Sequence, residues 1–206
     1  MRLGIVSDVH GNIEALDRAI EEMGAVDELL CAGDACYQFR FSNEVAARLR
    51  ETGARYVLGN HEEILLSPAG IRAQQSERVD QELLEWTRNQ PTVINVKASG
   101  KRLLMFHATP WQPNRDYLFP SSPELRKLAD EDADYIVYGH THYQMARRVG
   151  RALVINPGST GDPRDPNNDF QVSYAVLDTE TDAVEIGNFA DPTRNISKHS
   201  GANPSG

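Results

Sequence analysis

The sequence predicts an α/β fold with mixed sheets, in which a parallel first half is followed by a largely antiparallel second half. Two observations carry that expectation. Short β-prone runs alternate with helical apolar periodicity as β-α-β-α-β as far as Leu58, the pattern of a parallel sheet with crossover helices. Past residue 89 the helical periodicity gives way to short strands, beginning with a hairpin signature at Ala98-Ser99-Gly100-Lys101.

The elements follow in order. Residues 2–7 read as the first strand. Asn12 is placed to cap the next helix, whose apolar face is Ile13, Leu16, Ala19, Ile20 and Met23, with Gly24 at its end. Residues 27–31 form the second strand. Ser42 caps a helix over Val45, Ala46 and Leu49 that Gly53 closes, and residues 54–58 form the third strand. Residues 62–89 read as mostly helical, interrupted at Ser67-Pro68-Ala69-Gly70, with Ser76 capping the second part. The hairpin strands span residues 92–96 and 102–106. A loop broken by Pro110, Pro113 and Pro120 leads to a helix over Leu125 and Leu128, and residues 135–138 return to the buried sheet. Four short strands complete the chain, at 144–149, 152–155, 172–177 and 183–186. A single domain over residues 1–190 is expected, followed by a poorly ordered tail at 191–206 that has almost no apolar residues and contains His199.

Composition narrows the function. At 206 residues and 40% hydrophobic content the chain can bury a sizeable core. Its formal net charge of −9 disfavours general nucleic-acid binding, which needs a basic surface. Cys31 and Cys36 are too few for a disulfide framework and read as reduced thiols. With no apolar run long enough to span a bilayer, a soluble, cytoplasmic protein without membrane partners is expected; self-association is left open.

Chemistry concentrates where strands stop. Ile5-Val6 runs into Ser7-Asp8-Val9-His10, and Leu29-Leu30-Cys31 into Ala32-Gly33-Asp34. Tyr56-Val57-Leu58 runs into Gly59-Asn60-His61-Glu62, residues 103–106 into His107, and residues 135–138 into Gly139-His140-Thr141-His142. Five of the six histidines therefore sit at strand exits, which is where open α/β sheets bind ligands. Asp8, His10, Asp34, Asn60, His107, His140 and His142 make two carboxylates, one amide and four imidazoles, more ligands than one ion uses but suited to two ions if a carboxylate bridges. A mixed N/O set without thiolate favours Mn²⁺ foremost, or Fe, Zn²⁺, Co²⁺ or Ni²⁺, over Ca²⁺ or Mg²⁺ alone. Two such ions clamp a phosphorus centre for in-line displacement and lower the pKa of a bridging water to give hydroxide.

These residues resemble the ordered signature of the calcineurin-like metallophosphoesterases: Asp8-x-His10, Gly33-Asp34, Gly59-Asn60-His61-Glu62, His107, and Gly139-His140-Thr141-His142. The stretch from Ser7 to Asn12 and the loop Asn156-Pro157-Gly158-Ser159 are similar to the small prokaryotic, phosphodiesterase-type branch of that superfamily. The resemblance implies a four-layer αββα sandwich. It implies one metal held by Asp8, His10, Asp34 and His142, and a second by Asp34, Asn60, His107 and His140, with Asp34 bridging. It casts His61 as the group that protonates the leaving oxygen or binds the phosphoryl group, with Glu62 orienting it. Two positions depart from the superfamily pattern: Glu62 replaces the usual Asp, and Ala108 replaces the usual Gly after the fourth-motif histidine. Arg40, Trp111, Arg115 and Arg164 are candidate substrate contacts on rim loops.

The function so implied is hydrolysis of phosphate esters, most of all small phosphodiesters. A phosphomonoesterase or protein phosphatase on the same site is the alternative, and a non-catalytic metal-binding scaffold stands behind both.

Overall fold

The computed structural model describes residues 1–194; the remainder of the expected tail, including His199, lies outside the described residues. Two five-stranded sheets form the centre. The first contains β1 (Arg2–Val6), β2 (Glu28–Cys31) and β3 (Arg55–Tyr56) in parallel, joined by helices α1 (Ile13–Met23) and α2 (Asn43–Glu51). The second contains the hairpin β4 (Val93–Ala98) and β5 (Lys101–Phe106), then β6 (Tyr135–Val137), β7 (Gln144–Val149) and β8 (Ala152–Pro157). In it β5, β6 and β8 run parallel while β4 and β7 are antiparallel edges.

The last hairpin, β9 (Val172–Asp178) and β10 (Ala183–Phe189), does not extend the second sheet. It returns to the first, where β9 pairs antiparallel with β1, giving the order β10-β9-β1-β2-β3. The late strands thus divide between the two sheets.

Alternation of side chains across each strand builds the layers. Leu3, Ile5, Leu30, Ala175 and Leu177 of the first sheet meet Leu103, Met105, Tyr135, Val137 and Ile155 of the second in one buried core. The opposite face of the first sheet, with Val6, Cys31, Tyr56 and Val176, packs on Leu16, Ala19, Val45 and Leu49 of α1 and α2. The outer face of the second, with Phe106, Ile136, Tyr138 and Val154, packs on Leu125 and Leu128. The four expected layers are present. Because both faces of the central strands are covered, those strands read in sequence as continuous apolar runs.

Local chemistry explains most boundaries. Asn12 Oδ1 accepts from the Ala15 amide at 3.1 Å and Ser42 Oγ from the Val45 amide at 3.3 Å, so both helices start where their caps stand. Ser99 and Gly100 have φ of 48° and 81°, the two positive values a tight type I′ hairpin turn requires. The expected break at residues 67–70 is present, and three other expectations are corrected. The helical stretch 62–89 resolves into α3 (Asn60–Leu66), a 3-10 turn at Pro68–Gly70, α4 (Ile71–Gln74) and α5 (Gln81–Arg88). The cap of α5 is Asp80, whose carboxylate accepts from the Glu82 and Leu83 amides, and not Ser76. The segment over Leu125 and Leu128 is a 3-10 helix, Pro123–Asp130. The third strand is also shorter than expected, because the Leu58 amide leaves the ladder to bond Pro91 O at 2.8 Å.

Candidate metal centre

Every predicted ligand stands just beyond the carboxyl end of a strand, and the pairing of the sheets brings those ends together. Asp8 and His10 follow β1, Asp34 follows β2, Asn60 begins α3 after β3, His107 follows β5, and His140 and His142 follow β6. Asp8, His10, Asp34, His140 and His142 all have φ between 50° and 65°. Left-handed backbone costs a non-glycine residue about 1–2 kcal/mol, less for Asp and His. Concentrated at one place, such strain marks residues that the surrounding structure holds for a purpose.

Three groups of donor atoms lie within 4.8 Å of one another: Asp8, His10 and His142; Asp34, His107 and His140; and His10, Asp34 and His61. His142 Nε2 is 3.2 Å from Asp8 Oδ1 and 3.3 Å from His10 Nε2. His107 Nε2 is 3.2 Å from Asp34 Oδ2, 3.1 Å from Asn60 Oδ1 and 3.2 Å from His140 Nδ1. Asp34 belongs to two of these groups.

Several of the donors are aimed by a second hydrogen bond. His107 Nδ1–H donates to Ala32 O at 2.7 Å and His142 Nδ1–H to Asp162 O, so both rings turn Nε2 inward. Asp8 Oδ2 accepts from Ser7 Oγ at 2.7 Å and the His140 amide at 3.0 Å. Its Oδ1, together with His140 Nε2 and His10 Nδ1, is buried without a hydrogen-bond partner. Buried polar atoms left without partners are costly, and Asp8 Oδ1 lies within the first ligand group, 3.2 Å from His142 Nε2. The residues therefore fit a divalent cation.

The electrostatics agree. Burial alone would raise the Asp8 carboxyl, but His142, with His107 and His10, holds it well below the usual range. Burial disfavours a charged His107, yet the Asp34 and Asp8 carboxylates push it up to about 10. Burial lowers His10 to about 4 against the pull of Asp8, and lowers His140 to about 4 with the help of His107. Two buried carboxylates demand positive charge here, and metal ions meet that demand by displacing protons.

Glycines allow the loops to close. A Cβ on Gly59 would fall 2.1 Å from Asp34 Oδ1, and one on Gly139 would fall 1.8 Å from Ser7 Oγ and 2.6 Å from Asp8 Oδ2. The Gly- and Pro-rich loop after β8 clamps the first strand exit. Ser159 Oγ donates to Asp8 O at 2.7 Å, and the Thr160 amide to Ser7 O at 2.9 Å.

His61 lies at the edge of the cluster, its Nε2 3.9 Å from Asp34 Oδ2. The Gln38 amide donates to His61 Nδ1 at 3.1 Å, which places the proton of the neutral ring on Nε2, towards the centre. Glu62 does not orient that ring, contrary to expectation. Its buried carboxylate accepts from the Asp34 and Cys36 amides at 2.9 Å and the Gly59 amide at 2.8 Å. The longer side chain ties the second and third strand exits together. Ala108, at the other departure, is buried and keeps ordinary negative φ, its amide donating to Pro113 O.

Of the rim candidates, Arg40 and Arg164 reach the site's surroundings. The Arg40 guanidinium lies 4.9 Å from the Tyr37 ring centroid, and that ring stacks on His10 at 4.7 Å. Arg164 pairs with Asp162 at 2.6 Å. Arg115 instead faces Glu63 at 3.8 Å, and Trp111 lies under Lys127. Tyr37 and Tyr117, which stacks on His140 at 4.2 Å, escaped the sequence reading because isolated loop aromatics carry no periodic signal.

The calcineurin-like phosphoesterase superfamily domain matches residues 1–182. The chain belongs to that superfamily. Over 194 residues this phosphoesterase is 27% identical to the phosphodiesterase YfcE of Escherichia coli, covering 89% of this chain and 91% of that one. It is 26% identical over 215 residues to an uncharacterised protein of Methanocaldococcus jannaschii, covering 89% and 85%. Its fold is similar to that of a metallophosphoesterase from Sphaerobacter thermophilus, with a TM-score of 0.76 and 21% identity over 93% of this chain and 89% of that one. As a calcineurin-like phosphoesterase it is a metal-dependent hydrolase of phosphate esters. No helix among the described residues is long and apolar enough to cross a membrane.

Proposed function

We propose that this phosphoesterase is a phosphodiesterase working with two divalent metal ions, Mn²⁺ foremost. The observation that carries the reading is the pairing of Asp8, His10 and His142 with Asp34, His107 and His140, with Asp34 also grouped with His10. Asp8, His10, Asp34 and His142 would hold one ion, and Asp34, Asn60, His107 and His140 the other. When bound, the ions supply Lewis acidity towards the phosphoryl oxygens and an activated water.

The chain's own residues do the rest. Glu62 fixes the loops that carry Asp34 and Asn60. His61 presents Nε2–H to the phosphoryl oxygen or to the departing alkoxide, and the Gln38 amide fixes that tautomer. The E. coli relative supports a diester in preference to a monoester.

The test strips the protein of metal, reloads it with Mn²⁺ and assays bis-p-nitrophenyl phosphate beside p-nitrophenyl phosphate, with metal content measured on the same sample. Two ions per chain with diester turnover is the expected result. Turnover of the monoester alone would move the assignment to a phosphomonoesterase. One ion, or none, at full activity would overturn the dinuclear reading.

A further inference from the structure

Next to the His140 side of the centre is a cavity of about 300 Å³ that the phosphoryl chemistry does not use. Trp111, Tyr117 and Leu118 give it flat apolar walls, and Asp116, Glu124 and Lys127 give it hydrogen-bonding groups of both kinds. Tyr117 is the partition. One ring contact is the stack on His140, with centroids 4.2 Å apart and planes 26° from parallel. Yet Tyr117 is 60% exposed and Trp111 39%, two of five large hydrophobic side chains so exposed among the described residues.

The loop that carries them, residues 107–122, is not loosely held. The Ala108 amide bonds Pro113 O, Thr109 Oγ1 bonds Gln112 O at 3.0 Å, and Tyr138 OH donates to Leu118 O at 2.8 Å. A long loop anchored this way, with aromatic rings left in water, presents those rings to something. Phe119 continues the aromatic surface, its ring 11° from parallel with Tyr117 at 5.8 Å.

We propose that this cavity is a nucleobase subsite, so that the substrate is a nucleotidyl phosphodiester whose base lodges against Tyr117 and Trp111 while its phosphate lies at the metal centre. The inference rests on the phosphodiesterase reading and narrows it. A nucleobase is the ligand whose chemistry matches on three counts. It is flat and stacks on aromatic rings. Its edge carries donors for the Asp116 and Glu124 carboxylates and acceptors for the Lys127 ammonium. It is also joined by one sugar to a phosphate, as the contact between Tyr117 and the ligand His140 requires. An aliphatic diester would use none of these groups.

The experiment uses the Mn²⁺-loaded full chain turning over bis-p-nitrophenyl phosphate, with adenosine 5′-monophosphate and ribose 5-phosphate as competing products that differ only in the base. The base is expected to tighten inhibition about tenfold, the usual size of one stacking contact. Tyr117→Phe keeps that preference and Tyr117→Ala abolishes it, while metal content is unchanged in both. Equal inhibition by the two products in the unaltered protein would overturn the subsite. So would a base preference that survives Tyr117→Ala. Failure of the parent reading looks different: the loaded protein would not turn over the diester at all, and calorimetric titration with the same two products would still report on the base.

Discussion

Asp8 and Asp182 are both carboxylates at the ends of strands, and they are finished in opposite ways. Asp182 lies in the turn between β9 and β10, at the end of the sandwich away from the metal centre. Its Oδ1 accepts from Lys101 Nζ and Tyr135 OH, and its Oδ2 from Arg148. That cluster joins the two sheets and leaves no oxygen of Asp182 without a partner. Asp8 is fully buried, holds two donors on Oδ2, and keeps Oδ1 without a hydrogen bond, 3.2 Å from His142 Nε2. A closed polar cluster stabilises the fold; an open one, kept unsatisfied by rigid neighbours, is ready for a ligand. Stability and function therefore sit at opposite ends of the same strands, and each can be disturbed without the other.

The strongest test of that separation is Asp34→Asn, which keeps a side chain that tolerates left-handed backbone but removes the shared charge. Turnover of the Mn²⁺-loaded protein is expected to fall by about 10³-fold or more, the scale of losing metal-ion catalysis. Metal content should fall with it while the melting temperature of the metal-free protein does not. A lower metal-free melting temperature would show that the open cluster also holds the fold. His61→Ala should keep both ions and slow turnover by about 10²-fold or more, and more for alkyl than for nitrophenyl leaving groups. Equal slowing with both would remove the proton-donor role.

Gly139→Ala places a methyl group against Ser7 and Asp8. It should weaken metal binding by about 10–100-fold, as losses of ligand-orienting contacts do, read by metal titration. The smallest effect belongs to the closed cluster. Lys101, Tyr135 and Arg148 hold the Asp182 carboxyl down to about 2. Because that value lies below the unfolded one near 4, Asp182 adds stability that is complete above about pH 4 and disappears as the pH falls towards 2. Asp182→Asn should melt about 1 kcal/mol less stably at pH 7, a modest figure for a part-exposed ion pair, and should match the parent protein near pH 2. Its kcat should be unchanged.

The two ends differed in how far the sequence disclosed them. The ligands are legible because all seven fall at the exits of five apolar runs, with Asp-x-His at the first exit and His-x-His at the last. The first β-α-β-α-β order was legible from periodicity alone. What stayed hidden depends on partners far along the chain. Nothing near Val172 says that β9 returns to β1, because strand pairing is not a local property. The resemblance implies that Glu62 orients His61, but α3 turns the two side chains apart, and the Glu62 carboxylate meets amides from residues 34, 36 and 59. Ser76 and Asp80 are both good caps by type, and only the actual start of α5 chooses between them.

The pairing of β1 with β9 also sets a timetable for the making of the protein. Ile5 pairs with Ala175, and Ser159 and Thr160 grip the loop that bears Asp8. At about 5–20 residues per second, a ribosome delivers those partners roughly ten to thirty seconds after β1 has emerged. Through that interval the first strand has β2 on one side and an open edge on the other, and the nascent chain holds Asp8 and His10 without their clamp. The metal centre is thus among the last parts to be assembled, so a chain released early cannot complete it.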